Sequence, residues 1–202
     1  GRTAGETVVL DPTVGVWRSL FVPANLLDLR LCLDPVPDPG RRRILMRLQD
    51  SSTGHLYAFN PDAPSDEQWK CIARDFYCSV EVSAIVDDVI YFHSHECDPS
   101  IRAFDLVKGE WLKVCEGDTS IGRRYSTALF HLGSNVLCLA ASLPQPGHNT
   151  WWCSITFSTL IVKRSGAIVT ISRGTSYSYS IPAIASVQKF LPIYMEQVLL
   201  YI

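Results

Sequence analysis

The sequence has no strong charge of either sign and no long apolar run. Its formal net charge is −2, so its overall charge gives no attraction to nucleic acid or to an anionic membrane. A signal-peptide pattern is missing, and so is an apolar span of the roughly 18 residues that a membrane helix needs. We therefore expect neither nucleic acid nor a membrane among its partners.

Paired cysteines are missing as well. The seven cysteines stand singly, at positions 32, 71, 78, 97, 115, 138 and 153, and none forms a CxxC motif. An odd, unclustered set argues against the disulfide framework of a small secreted domain. We expect reduced and mostly buried thiols, in a protein of the cytoplasm or the nucleus.

Motifs of catalysis are also absent. The sequence has no GxSxG nucleophile elbow, no phosphate-cradling glycine loop and no HExxH zinc motif. Paired carboxylates could serve a glycosidase, and Asp87-Asp88 is an adjacent acidic pair. Its position between two apolar runs is more typical of a solvated hairpin turn. We therefore expect no enzyme activity and no cofactor.

His93, His95 and Cys97 form the most suggestive metal pattern. Side chains repeat every second residue along a strand, so these three would share one face, as zinc ligands could. A closed zinc site needs a fourth ligand, and no second His/Cys pair has matching spacing. A polar loop between two strands is the simpler interpretation, and we predict no metal site.

Helical periodicity is not sustained anywhere, and a short β motif recurs instead. An apolar strand is followed by Asp or Asn, then Pro or Leu, a polar turn and a tryptophan. The motif occupies residues 8–12 before Trp17, 56–61 before Trp69 and 101–106 before Trp111. The tryptophans are 52 and 42 residues apart, which brackets the period of about 40–50 residues of propeller blades. Each motif predicts a β-hairpin with a buried tryptophan.

An earlier hairpin precedes the motif in each complete unit. Residues 79–92 turn at Asp87-Asp88, and residues 126–139 turn at 133–135. Residues 27–33 and 44–48 fill the same place one unit earlier, around a proline-rich turn at 35–40. We predict an all-β fold, with propeller blades in residues 1–164 and a tail at 165–202 of no assigned structure. The predicted blades are a partial one at 6–21 and complete ones at 26–72, 78–115 and 125–164.

The motif, carried best by residues 56–61 with Trp69 and 101–106 with Trp111, resembles that of the plant F-box/kelch-repeat proteins. Trp152-Cys153, leading into 160–164, is similar to the last strands of such proteins. The resemblance covers residues 6 to about 164. It implies a kelch-type β-propeller that selects a protein for ubiquitination, while an F-box docks onto the Skp1 subunit of a cullin ubiquitin ligase.

Two features depart from that family. His93-Ser94-His95 stands where kelch blades carry adjacent glycines, so the repeats are degenerate and an F-box-associated β-domain is a related alternative. No F-box helix pattern precedes the repeats, so a Skp1-type adaptor would bind only through a segment outside this sequence. Three and a half blades cannot close a ring, and the chain begins at Gly1. We therefore expect a fragment or a trimmed form of a longer protein.

Partner binding is expected on loops, because loops carry binding residues over a rigid scaffold. In a four-stranded antiparallel blade, the turn between the second and third strands opens on the same face as the connection between blades. A protein partner of unknown identity is therefore predicted to contact that face. The predicted contact residues are Ser51, His55, Arg74, Asp75, His93, His95, Glu96, Asp98, Arg123, Arg124, Gln145, His148 and Asn149.

Two further features remain open in the sequence. Arg41-Arg42-Arg43, on the opposite rim at 35–43, and Arg123-Arg124 are most simply solvated turn charges, with recognition of an acidic or phosphorylated partner as the alternative. Trp151 and Trp152 must point to opposite faces of a strand, so one of them could serve an interface.

The functional prediction is a substrate-recognition propeller of a ubiquitin ligase adaptor. The alternatives are a stand-alone kelch interaction protein and an enzyme built on a propeller.

Overall fold

A computed structural model of the chain describes residues 8–11, 16–19, 23, 26, 29–31, 35–49, 53–76, 82–93, 100–117, 126–146 and 151–182. These residues are strands and turns, with a 3-10 turn at Pro39–Arg41 and no α-helix among them. The predicted all-β class is therefore confirmed. In the same residues, no helix is long and apolar enough to cross a membrane.

The strands are β1 (Val8–Asp11), β2 (Val16–Ser19), β3 (Arg30–Leu31), β4 (Val36–Asp38), β5 (Arg43–Gln49), β6 (Gly54–Phe59), β7 (Trp69–Ala73), β8 (Val82–Val86), β9 (Val89–His93), β10 (Ile101–Asp105), β11 (Glu110–Glu116), β12 (Ser126–Gly133), β13 (Val136–Pro146), β14 (Trp151–Ser165) and β15 (Ile168–Pro182). The chain divides into two compact units. The first is Gly1–Ser94 with Arg102–Leu112, and the second is His95–Ile101 with Lys113–Ile202. The division falls inside β11.

The first unit contains a hairpin and two sheets. β1 and β2 pair antiparallel with each other. β3, β5, β6 and β7 form an antiparallel sheet in that order, with β4 added beside β5. β8, β9 and β10 lie side by side with the first residues of β11 in the second sheet, whose two hairpins are antiparallel. The predicted turn at Asp87-Asp88 is confirmed, and Asp87 adopts the left-handed φ of 52° that Asp tolerates in turns.

The proline-rich segment 35–40, predicted as a plain turn, also contains the strand β4. Val36 lies opposite Leu45 in β5, and the chain then reverses through the 3-10 turn, where Arg42 takes a left-handed φ of 50°. Pro37 is tolerated because β4 pairs with one strand only among the described residues. Pro39 opens the 3-10 turn, where a missing N–H costs little.

One hydrophobic cluster joins the two sheets of the first unit. Its buried members are Leu45, Leu56, Ala58, Phe76, Ile90, Phe92, Phe104 and Leu106. Phe76, which follows β7, lies at its centre. The ring of Phe76 is 5.0 Å from that of Phe104, in an edge-to-face arrangement, and 4.9 Å from that of Trp111, in a stacked one. Such aromatic contacts add to the burial of apolar area and fix the geometry of the cluster.

The second unit is built on an antiparallel sheet of β12, β13, β14 and β15, in chain order. Residues Lys113–Glu116 of β11 pair in parallel with Ile168–Ile171 at the start of β15. The predicted turn at residues 133–135 is confirmed, between β12 and β13. One face of this sheet is a buried apolar core, formed by Leu129, Leu137, Leu139, Leu160, Val162 and Ile171.

The segment after residue 164, to which the sequence assigned no structure, continues as strand to Pro182. It forms β15, which pairs with β14 along almost its whole length. The register shifts once, at Thr159, whose hydroxyl donates to the carbonyl of Thr175 at 3.1 Å. Gly174 lies at this bulge, and a side chain there would collide with the Thr159 hydroxyl. The Ser/Tyr-rich tract 172–180 is therefore part of a strand.

Candidate partner-binding surface

The turn between β5 and β6 touches the connection that follows β7. The backbone N–H of Phe76 donates to the carbonyl of Gly54 at 2.6 Å. A methyl group on Gly54 would lie 2.6 Å from the Phe76 carbonyl oxygen and 3.1 Å from Nε of Arg47, so only glycine fits there. Because Phe76 is anchored in the core, this contact holds the two loops together.

Four side chains flank the contact, and we call them the Gly54–Phe76 surface: Thr53, His55, Arg74 and Asp75. Thr53 and His55 are half-buried, whereas Arg74 and Asp75 are exposed. Asp75 adopts a left-handed φ of 52°, and this turn leads the chain from the exposed Arg74 and Asp75 to the buried Phe76. Three residues predicted to bind a partner thus adjoin one contact of the first unit: His55 is the second residue of β6, and Arg74 and Asp75 lie in the connection after β7.

Contacts with Thr53 and Tyr57 fix the His55 ring. Its Nε2 lies 3.2 Å from the Thr53 hydroxyl, and its ring meets Tyr57 edge-to-face at 6.3 Å. Burial raises the pKa of Tyr57, and Cys71, opposite it in β7, raises that pKa further, while Arg74 acts in the other direction. The surface therefore offers one positive and one negative charge beside an oriented imidazole, a combination suited to polar protein contacts.

His93 is not on a loop, contrary to the sequence prediction. It is the last residue of β9, opposite Val82, and only 2% of it is exposed. The antiparallel pairing of β8 with β9 extends as far as Val82 and His93, and every residue of β9 is buried. The strand therefore includes the position where the sequence suggested a polar loop. His93 is therefore unavailable to a partner as the protein stands.

The other predicted contact residues fall elsewhere. Gln145 lies in β13, where its backbone pairs with that of Trp152 in β14. Outside the described residues lie Ser51, His95, Glu96, Asp98, Arg123, Arg124, His148 and Asn149.

Each arginine of Arg41-Arg42-Arg43 pairs with an aspartate of the same unit. Arg41 lies 2.5 Å from Asp88, Arg42 lies 3.0 Å from Asp62, and Arg43 lies 2.8 Å from Asp38. The side chains of the last pair are only 13% and 4% exposed. The buried Arg43–Asp38 pair favours a structural role for Arg43, whereas Arg42 and Asp62, at 78% and 51% exposed, form a solvated surface pair.

The arginine cluster borders an open depression of about 420 Å³, which the sequence did not predict. It is lined by Pro37, Asp38, Pro39, Arg42, Arg43, Ile44, Pro61 and Asp62. Asp38 and Arg43 face each other in the β4–β5 register, so their pairing depends on a strand that the sequence did not reveal.

The tryptophans of the second and third motifs pack against core phenylalanines. The Trp69 ring lies 4.9 Å from Phe59, and the half-buried Trp111 ring contacts Phe76, Phe92 and Phe104. The guanidinium of Arg102 lies 4.2 Å from the centre of the Trp111 ring, a cation–π contact. The side chains of Trp17, Trp151 and Trp152 lie outside those that the structure describes.

Within the described part of the chain, no three His, Cys, Asp or Glu residues are grouped as a metal site would require. His95 and Cys97, of the suggestive sequence pattern, fall outside that part. Cys71, Cys115 and Cys138 carry free thiols, and burial raises the pKa of the Cys138 thiol.

Comparisons with protein-family models, with curated proteins and with solved structures find no match to this chain.

Proposed function

We propose that the chain is a non-enzymatic protein-interaction module built of propeller-type blades. The observation that carries the proposal is a shared register in the three motifs. In each, the residue just before Asp or Asn lies opposite the tryptophan: Leu10 opposite Trp17, Phe59 opposite Trp69, and Phe104 opposite Trp111. A repeated unit with one fixed register is what an array of blades requires.

The turns of the second and third motifs support the same proposal. The side-chain oxygen of Asn60 accepts a hydrogen bond from the N–H of Asp62 at 3.0 Å. The corresponding oxygen of Asp105 accepts two, from Val107 and Lys108, each at 2.8 Å. The two hairpins therefore use the same side-chain turn after the same strand position. The two sheets of the first unit also share one core through Phe76, as neighbouring blades would.

The partner would be a protein bound at the Gly54–Phe76 surface. Loops held over a packed sheet are a common place for such contacts. In the proposed blade, this surface combines the turn between the second and third strands with the connection to the next blade, which open on the same face. The resemblance to F-box/kelch-repeat proteins extends the proposal to substrate recognition for a ubiquitin ligase, in the cytoplasm or nucleus. A Skp1-type adaptor would then bind through an F-box outside the given sequence.

Charge changes on the surface test the binding proposal. We expect that proximity labelling with the complete protein in cells enriches a set of proteins, and that R74E with D75N removes at least one of them. Asparagine is chosen because it tolerates the left-handed backbone at Asp75. The matched control is K108E with D66N, which makes the same charge changes in the exposed turns after β10 and β6, at the far ends of those strands.

An identical labelling profile for both double variants would contradict the proposed site. Association of the complete protein with Skp1 distinguishes the ubiquitin role from a stand-alone interaction module. If the complete protein carries no F-box and does not bind Skp1, the ubiquitin role is wrong, while the interaction role is still decided by the labelling comparison.

A further inference from the structure

The later part of β15 has a neighbouring strand on one side only. β14 pairs with it as far as Pro182, whereas β11 pairs with its other side only at Ile168–Ile171. In the part of the chain that the structure describes, no strand lies along that second side beyond Ile171. Every residue from 172 to 180 is exposed. We call residues 172–182 the open edge of β15.

The backbone groups that face the open edge follow from the alternation of hydrogen bonds. The N–H of Val162 donates to Asn135 at 2.9 Å, so Val162 faces away from β15. Its partner Ile171 therefore faces away from β14, and its carbonyl accepts from Gly117 at 3.0 Å.

The same alternation continues along β14, because the pairing of β13 with β14 has no register shift. The even-numbered residues of β14 thus face β13, and their partners in β15 face the open edge. These partners include Ser176, Ser178 and Ser180, opposite Ser158, Thr156 and Ser154. Among the described residues, no strand pairs with their N–H and C=O groups, which form a row of the kind to which another strand can pair.

The devices that usually protect an edge strand are missing from the middle of this one. Charged side chains, prolines and bulges normally prevent edge-to-edge pairing. Arg173 is the only charged residue in the open edge, the bulge lies at Gly174 and Thr175, and Pro182 is at its end. Residues 176–181 contain none of these devices.

We propose that the open edge pairs antiparallel with the same edge of a second copy of this chain. Residues 176–180 read Ser-Tyr-Ser-Tyr-Ser, the same in both directions. A two-fold axis through Ser178 therefore places Ser176 opposite Ser180 of the second copy, and Tyr177 opposite Tyr179. This is the self-complementary arrangement that a two-fold interface requires, and it pairs all three outward-facing serine backbones.

The side chains fit this pairing on both faces of the sheet. Tyr177 and Tyr179 are 59% and 60% exposed, and the Tyr179 ring lies 6.3 Å from Phe157 in the same sheet. Opposed tyrosines in non-hydrogen-bonded positions would have Cα atoms about 4.5 Å apart and would cover each other. On the other face, the hydroxyls of Ser176 and Ser178 bond Ser158 and Thr156. The Arg173 guanidinium also reaches the Ser176 hydroxyl, at 3.1 Å, so this face carries small side chains from Ser178 to Ser180 and one long side chain at the Ser176 end.

A second copy fits this edge better than an unrelated peptide does. The stretch carries no charge that would select a partner of opposite sign, whereas its order of side chains matches its own reversal. This inference does not depend on the proposed interaction function, because the edge belongs to the second unit and the Gly54–Phe76 surface to the first.

The first experiment measures the mass of the whole chain by sedimentation, from low to high micromolar concentration. We expect a monomer–dimer equilibrium for the natural sequence and for S178A. S178P should dimerise at least about tenfold more weakly, since proline lacks the outward N–H that two-fold pairing uses twice. Proline is tolerated in an edge strand where the N–H faces solvent, so pairing with β14 should persist and the circular dichroism should be unchanged.

Amide hydrogen exchange of the natural sequence provides a second measurement that needs no variant. We expect protection at Ser176, Ser178 and Ser180 to rise with protein concentration, and protection at Tyr177 and Tyr179 to be independent of it. A chain that is monomeric at every concentration, or an S178P variant as dimeric as S178A, would overturn the proposal. Concentration-independent protection that is lost when the chain ends at Pro182 would also overturn it, and would assign the edge to residues 183–202.

Discussion

At the scale of single residues, Gly54 has the strictest requirement. Its carbonyl accepts the hydrogen bond from Phe76, and the space where a side chain would project is occupied by the Phe76 carbonyl oxygen. That oxygen belongs to the backbone, so it cannot rotate away as a flexible side chain would. The sequence alone gives no sign of this, since Gly54 follows Ser51, Ser52 and Thr53 in what looks like an ordinary polar turn.

We expect Gly54→Ala to destabilise the first unit by about 1–3 kcal/mol, the usual cost of inserting a methyl group into a closed space. The control is Gly40→Ala, because the nearest atom to a methyl group there is 3.8 Å away, an ordinary contact. Its effect should remain within about 0.5 kcal/mol. Urea denaturation followed by tryptophan fluorescence measures both. Equal midpoints for the two variants would show that the loop contact does not restrict position 54.

At the scale of secondary structure, the hairpins that the sequence predicts are those whose information is local. Asp87-Asp88 and the Asp105 motif carry their own turn chemistry within a few residues, and both form as expected. The parallel pairing of β11 with β15 joins residues more than 50 positions apart, and no local pattern encodes it. The sequence does not predict β15, because its later half alternates serine with exposed tyrosine and therefore lacks the alternation of apolar and polar residues that indicates a half-buried strand.

The turn of the third motif should contribute more to stability than that of the second. Asp105 is 1% exposed and its carboxylate accepts two backbone hydrogen bonds, whereas Asn60 accepts one at a more exposed turn. We expect Asp105→Ala to cost about 2–3 kcal/mol and Asn60→Ala about 1 kcal/mol, because hydrogen bonds to a buried charged group are the stronger kind. Asp105→Asn keeps the acceptor and should recover part of the loss in thermal unfolding. Similar costs for the two alanine variants would contradict this ranking.

At the scale of the whole molecule, the sequence predicts the all-β class correctly but does not reveal where the second unit ends. The last predicted blade stops at residue 164, inside the β14–β15 hairpin. The buried residues Val169 and Ile171, both fully inaccessible, lie beyond that point and complete the core around Leu160 and Val162. Of the predicted binding residues, the structure brings together His55, Arg74 and Asp75, and it buries His93.

A chain that ends at residue 164 should therefore lose the fold of the second unit, whereas a chain that ends at Pro182 should keep it. The shorter chain leaves β14 without β15 beside it and exposes Leu160 and Val162 to water. The lost burial of these two side chains is large compared with the small net stability of a folded domain. Amide exchange at Leu137 and Leu139 in β13 measures the difference. Equal protection of these amides in both chains would mean that β15 is dispensable.

The division of the chain inside β11 has a practical consequence for protein engineering. Boundaries between domains usually fall in exposed linkers, where a gene can be cut and its parts exchanged. Here the boundary separates Leu112 from Lys113 in the middle of a strand. Each unit also consists of two separate segments of the chain, Gly1–Ser94 with Arg102–Leu112 in the first and His95–Ile101 with Lys113–Ile202 in the second. Neither unit can be excised as one continuous piece. Chimeras and truncations should therefore keep β10 and β11 together with the strands on both sides.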